Sequence, residues 1–262
     1  MPSASSLSDL LRDVELDPQS NLVSQVFTIL RELIVTVQLL PGQLISEKEL
    51  AEVLSASKTP VREALIRLDD AGLVKVVPKS GTYVAPLNVN GFLEACFTRL
   101  NLEIGAVRTA ARQDNKLTHL AQLESVIADQ KRAFANEEHE RFFELDEKFH
   151  EGLFEMIEMP GVWQTIRRSQ ADVYRVRHLR RIHNIRNGLK VISDHEAILK
   201  AIKAGDADAA EQALVAHIGS LDSKIEMLGN QPGLLQYIEN LNAQPTRGRT
   251  RAARAATSGR KE

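Results

Sequence analysis

The sequence predicts a mainly α-helical protein in two parts: an N-terminal winged helix-turn-helix followed by an all-α antiparallel helical bundle. Three observations carry that expectation. Three short stretches of helical apolar spacing between Leu22 and Gly72 precede two β-branched runs. From about Asn90 to Gly229 only helical periodicity is found. The character of the chain changes between them, at Pro86 to Val89.

Taking the elements in order, residues 1–20 are rich in Ser, Asp and Leu without a period and read as a flexible N-terminal arm. Leu22, Val26, Ile29, Leu30, Leu33 and Val37 recur at helical spacing, and Pro41-Gly42 stops that helix. Ser46 before Glu47, Lys48 and Glu49 is an N-cap followed by an acidic first turn, opening a short helix to about Leu54. Thr59-Pro60 reads as the cap and first position of a third helix, which buries Val61, Ala64, Leu65 and Leu68 and ends at Ala71-Gly72. Leu73–Val77 and Thr82–Val84, separated by Pro78-Lys79-Ser80-Gly81, form a hairpin. About six helices follow, with breaks near 113–115, 136–138, 160–161, 187–188 and 205–206, and Leu234–Leu241 adds one short helix. The expected domains are therefore 21–86 and 90–242, with a basic, disordered tail over 243–262.

Composition narrows the class. A chain of 262 residues, 43% hydrophobic and 26% charged, is that of a soluble globular protein of two domains. No apolar run approaches the ~20 residues a membrane helix needs, and Met1–Ser20 lacks the basic start and apolar core of a secretory signal. Cys96 is the only cysteine, which excludes an intramolecular disulfide and fits a reducing cytoplasm. The net charge of −2 carries no nucleic-acid signal by itself.

The local pattern does. Three helices and a hairpin are the layout of a winged helix-turn-helix, and its second and third helices pack through Leu50, Val53, Leu54, Val61 and Leu65. That packing leaves Lys48, Ser57, Lys58, Thr59 and Arg62 around the N-terminus of the third helix, an end that favours phosphates and base edges. Arg62 can bond a guanine bidentately, Lys48 and Lys58 can bond bases or neutralise phosphates, and the hydroxyls of Ser57 and Thr59 suit phosphate contacts. Lys79, Ser80 and Gly81 at the hairpin tip can reach the adjacent minor groove. Against this, basic and acidic residues balance between Leu22 and Ala85, so the argument rests on clustering, and a small helical interaction domain is the alternative.

In the helical part Asp146, His150, His195 and His217 each fall in the apolar stripe of their own helix. Asp146 and His150 lie among Phe142, Leu145, Phe149, Leu153 and Ile157, His195 among Val191, Ile192, Ile198, Leu199 and Ile202, and His217 at the edge of Leu214, Ile218, Leu221 and Ile225. One carboxylate and three imidazoles form a ligand set for a divalent metal. The alternative is a set of separate core histidines bonded to carbonyls, although a buried carboxylate wants a cation or several donors.

The stretch LLPGQLISEKELAEVLSASKTPVREALIRLDDAGLVKVVPKSGTYVA resembles the DNA-binding domain of the GntR superfamily. FTRLNLEIGAVRTAA, ELDEKFHEGLF and SDHEAILKAIKAGDADAAEQALVAHI resemble the effector domain of its FadR subfamily, called FCD. The resemblance covers about Leu22 to Leu228. It implies a homodimeric bacterial transcription regulator, with repression as one mode, that binds a pseudo-palindromic operator in double-stranded DNA, is tuned by a small carboxylate metabolite, and contacts no membrane. It places Asp146, His150, His195 and His217 on the family's metal-ligand positions, with zinc the first choice of ion and nickel or manganese possible. It also places Arg99, an i,i+4 neighbour of Glu103 at the edge of its helix's stripe, on a position facing the effector. The family usually has Arg where Lys58 stands; lysine keeps the charge and loses the planar fork. A metal-dependent enzyme acting on a small carboxylate is the second reading, but no general base is identifiable. A purely structural metal is the third.

Overall fold

The computed structural model describes residues 6–114, 117–182 and 188–243. In chain order they form α1 (Leu7–Leu10), α2 (Leu22–Val35), β1 (Leu44–Ile45), α3 (Glu47–Val53), α4 (Lys58–Asp70), β2 (Val74–Val77) and β3 (Gly81–Val84), then α5 (Val89–Arg112), α6 (Leu117–Ala135) and α7 (His139–Met156). They continue with α8 (Pro160–Ser169), α9 (Ala171–Ile182), α10 (Gly188–Ala204), α11 (Ala207–Ile218), α12 (Leu221–Gly229) and α13 (Pro232–Asn242). Of the expected tail over 243–262, residues 244–262 lie outside the described residues, and Ala243 is the C-cap of α13. No helix among the described residues is long and apolar enough to cross a membrane.

Two compact units result, and they interleave along the chain. The first holds α1 to β3 together with α9 and α13. Its helices start where the side chains dictate. Asn21 accepts a bond from the Ser24 amide at 2.9 Å to open α2, and Ser46 accepts from the Glu49 amide at 3.2 Å to open α3. The α4 helix begins one residue earlier than the Thr59 cap predicts, with Ser57 at the N-cap position and Lys58 as its first residue. Gly72, at φ +69°, turns the chain out of α4 as only glycine does without strain. Val26, Leu30, Ile34, Leu50, Val61, Leu65, Leu68, Leu73 and Val84 form the core, so α2, α3, α4 and the sheet share one apolar centre.

The predicted hairpin is present, with β2 antiparallel to β3 in the register Val74↔Val84 to Val77↔Gly81. A strand that the periodicity does not reveal, β1, pairs on the other side of β3 through Leu44↔Tyr83, giving the order β1-β3-β2. Two residues are too few to show an alternation.

Three further expectations are corrected here. Residues 6–20 are not a loose arm, because Leu7 and Leu11 are buried in the core of this unit. The span 90–242 is not one body, because α9 and α13 pack with the N-terminal elements. Tyr174 of α9 joins that core, Arg175 donates to the Ala85 carbonyl at 2.9 Å, and Asn242 of α13 bonds both the N–H and the C=O of Leu87 at 2.9 Å. Helix breaks at Gln170 and at Gly219-Ser220 also divide spans expected to be continuous. Gly219 sits at φ +83° and Ser220 caps α12, so the stripe carrying His217 ends at Ile218, and Ile225 is exposed.

The second unit holds α5 to α8 and α10 to α12. Val107, Leu123, Phe149, Leu153, Ile166, Ile198, Ile202 and Leu214 are its core. Gly152 lets α7 approach α6, since a Cβ there would lie 2.6 Å from Leu123 Cδ2. Gly205, at φ +75°, ends α10, and Asp206 opens α11 by accepting from the Ala209 amide at 2.9 Å.

Candidate functional site

The four metal-ligand candidates meet inside the second unit. One ligand atom from each of Asp146, His150, His195 and His217 lies within 4.8 Å of all the others. Asp146 and His150 stand one turn apart in the middle of α7, His195 lies in the middle of α10, and His217 lies in the last turn of α11. His150 Nε2 and His195 Nε2 are each 3.2 Å from His217 Nε2. Asp146 Oδ1 is 3.5 Å from His195 Nε2 and 4.0 Å from His150 Nε2. Asp146, His150 and His195 are buried, and His217 nearly so.

Each imidazole is held from behind. His150 Nδ1 is 2.6 Å from Glu103 Oε2 on α5, His195 Nδ1 is 2.9 Å from Gln130 Oε1 on α6, and His217 Nδ1 is 3.3 Å from Asp194 Oδ2 on α10. Those oxygens accept, so each Nδ1 carries the proton and each Nε2 turns an unprotonated lone pair inward. Three lone pairs and a carboxylate converging at these separations repel one another unless a cation lies among them. The donor set, three nitrogens and one carboxylate backed by hydrogen-bonded partners, therefore fits a divalent ion. His195 also stacks on Phe149 with centroids 3.9 Å apart, which fixes its ring plane.

The electrostatics favour neutral imidazoles. Burial, with the Arg99 charge adding to it, pushes His150 down to about 4, against the pull of Glu103 and Asp146. Burial and the nearby His217 hold His195 well below the ordinary histidine range. At Glu103 burial works upward, but His150 and Arg99 together outweigh it and bring the carboxyl down to about 2. Burial likewise raises Asp194, and bonds from His217 and Lys190 override it, leaving this carboxyl below its usual value.

Arg99 and Glu103 are not at the helix edge expected from the stripe. Both are buried, with Arg99 Nε 2.6 Å from Glu103 Oε1 and the guanidinium 5.9 Å from the centre of the Trp163 ring. Glu103 thus joins Arg99 to His150. Sequence reasoning missed Gln130 and Asp194. Gln130 was detectable as a polar residue continuing the Leu120, Leu123, Ile127 spacing of α6. Asp194 follows from no pattern, since its partner His217 is on another helix.

In the first unit Lys48, Ser57, Lys58, Thr59, Arg62 and Lys79 are all exposed, and Gly81 is half-buried at φ +136° as the first residue of β3. Lys48 faces Glu52 at 3.6 Å. Arg62 is engaged more closely, its Nε 3.2 Å from Glu47 Oε2 and its Nη2 2.8 Å from Glu47 Oε1.

Residues 94–220 match the family described as FCD domain, and residues 22–84 match bacterial regulatory proteins, gntR family. The chain is 30% identical over 216 residues to the HTH-type transcriptional repressor RspR of Escherichia coli K12, covering 82% of this chain and 94% of that protein. It is 26% identical to the galactonate operon transcriptional repressor of the same organism, covering 79% and 97% respectively. Among solved structures it is similar to E. coli McbR/YncC, with a TM-score of 0.66 and 25% identity over 81% of this chain and 99% of that one.

Proposed function

Because the chain belongs to the GntR family of bacterial regulatory proteins and carries an FCD domain, it is a DNA-binding transcription regulator rather than an enzyme, and we propose that a small carboxylate held at a divalent metal controls its grip on an operator. The observation that carries this reading is the convergence of three imidazole lone pairs and the Asp146 carboxylate on one buried point. Asp146, His150, His195 and His217 hold the ion, zinc first by donor type with nickel or manganese as alternatives. Bound there, it supplies a fixed positive charge to which a ligand carboxylate can attach.

The chain's own residues do the rest. Glu103, Gln130 and Asp194 keep the imidazoles in the tautomer that binds metal. Arg99, buried beside this cluster, offers a second anchor for a carboxylate. The name of the galactonate operon repressor, whose operon concerns a sugar acid, supports the carboxylate class, and two relatives named as repressors support repression. Lys48, Ser57, Lys58, Thr59, Arg62, Lys79 and Gly81 form the DNA-facing surface. A homodimer on a pseudo-palindrome, in the cytoplasm, completes the reading.

Metal analysis of protein purified without chelating resin tests it. We expect close to one ion per chain in the wild type, a large loss in His195→Ala, and operator binding by that variant that no longer responds to a panel of sugar acids and short carboxylates. Unchanged metal content in His195→Ala overturns the ligand assignment. The near-complete burial of three of the four side chains favours one competing reading, a purely structural ion. That reading requires chelation to lower the melting temperature while no carboxylate shifts DNA affinity.

A further inference from the structure

Arg62 is one of the cations assigned above to DNA, yet its guanidinium is already engaged. Glu47, the first residue of α3, takes Nε and Nη2 in a two-pronged contact at 3.2 and 2.8 Å. Glu47 directly follows the Ser46 cap, in the first turn of the helix. The side chain of Arg62 is 67% exposed, so the pair adds little to stability. Its geometry is what stands out. A fork-to-fork contact fixes the guanidinium plane as well as its position. With the Nε edge committed, the Nη1 hydrogens and the remaining Nη2 hydrogen form the outer edge. That edge still matches the O6 and N7 acceptors of guanine.

We propose that Glu47 is a positioning residue for sequence reading: it holds the Arg62 fork end-on, so that only its outer edge meets a base. The assignment rests on the DNA-binding reading of this unit. Its physical advantage is that Arg62 loses its rotamer freedom before DNA arrives. Its physical signature is a trade. A carboxylate near the DNA-facing end of α4 repels phosphate, so neutralising it strengthens indiscriminate binding while weakening discrimination.

The test begins with selection of a preferred duplex by the wild-type protein from a randomised library. Affinity for that duplex and for a scrambled one is then measured for wild type, Glu47→Gln, Arg62→Lys and the double variant. We expect Glu47→Gln to lower the preferred-to-scrambled affinity ratio about tenfold, the scale of one bidentate base contact, and to raise affinity for scrambled DNA. Arg62→Lys, which keeps the charge and loses the fork, should lower the ratio similarly without touching Glu47. The double variant should lose no more than either single one. An unchanged ratio in Glu47→Gln, or a Glu47→Gln loss that persists in full beside Arg62→Lys, overturns the assignment. A wild type that selects no sequence overturns the DNA-binding reading itself, a failure distinct from these.

Discussion

The candidate metal centre and the N-terminal end of α4, proposed to face DNA, place charged residues under opposite conditions of solvation. At the centre, Asp146, His150, His195, Glu103 and Arg99 are all buried, and Glu103 meets both the Arg99 guanidinium and the outer nitrogen of His150. At α4 the cations stand in water, where Coulomb interactions are screened. The first arrangement must be built into the core and is costly to disturb. The second can be altered with little effect on folding. Stability measurements therefore report on the centre, and DNA discrimination reports on α4.

The largest effect expected is from Glu103→Ala. It removes the one carboxylate that faces both the Arg99 guanidinium and His150, and breaking a buried ion pair in this way costs about 3–5 kcal/mol. Urea unfolding of the metal-free protein measures it, and a loss below about 1 kcal/mol, typical of a surface pair, would erase the contrast between the two regions. Next is the ion. Zinc at one hundred times its dissociation constant should stabilise the wild type by about 2.7 kcal/mol and leave Asp146→Ala nearly unaffected. Equal stabilisation of both would move the ion elsewhere.

The pH dependence of the metal-free protein sharpens the same contrast. His150 is held at about 4 in the folded state, against 6.5 for the ordinary side chain, so between those values the unfolded chain binds the extra proton. Stability from this group is complete above pH 6.5 and declines as pH falls toward 4. Glu103, at about 2 against 4.5, adds stability that is complete above pH 4.5 and lost as pH falls toward 2. The two windows follow one another, so the stability of the metal-free protein should fall continuously as pH drops from about 6.5 toward 2. His150→Gln should reduce the upper part of the slope and leave the share of His195, which is also held below the ordinary histidine range.

The same difference in solvation governs what could be read from the residues alone. Asp146 and His150 were legible as a pair because one helix carries both, and a buried carboxylate in an apolar stripe breaks the pattern that surrounds it. Their meeting with His195 and His217 stood beside the alternative of separate core histidines, since periodicity shows which face of a helix is apolar and not which helix covers it. For the same reason periodicity shows α9 and α13 as helices and not that they pack with the N-terminal elements. Glu103 looked like a rim partner of Arg99 because an i,i+4 spacing cannot distinguish a surface pair from a buried one. Gly219 and Ser220 carried a stop and a cap that the stripe through Leu221 obscured.

The smallest effect separates two serines in equivalent positions. Ser46 and Ser57 each precede a helix of the DNA-binding unit, but only Ser46 bonds an amide of its own helix, that of Glu49 at 3.2 Å. Ser46→Ala should therefore cost about 1 kcal/mol of stability, the usual value of a cap. Ser57 makes no side-chain cap bond to α4, so Ser57→Ala should change stability by less than about 0.5 kcal/mol. Its hydroxyl lies at the exposed start of the helix that carries Lys58, Thr59 and Arg62. A phosphate contact from that hydroxyl would appear as a fewfold loss of affinity for preferred and scrambled duplexes alike, because phosphates carry no sequence. If Ser57→Ala instead lowers stability as much as Ser46→Ala does and leaves both affinities unchanged, the hydroxyl serves the fold. The DNA-facing surface would then begin at Lys58.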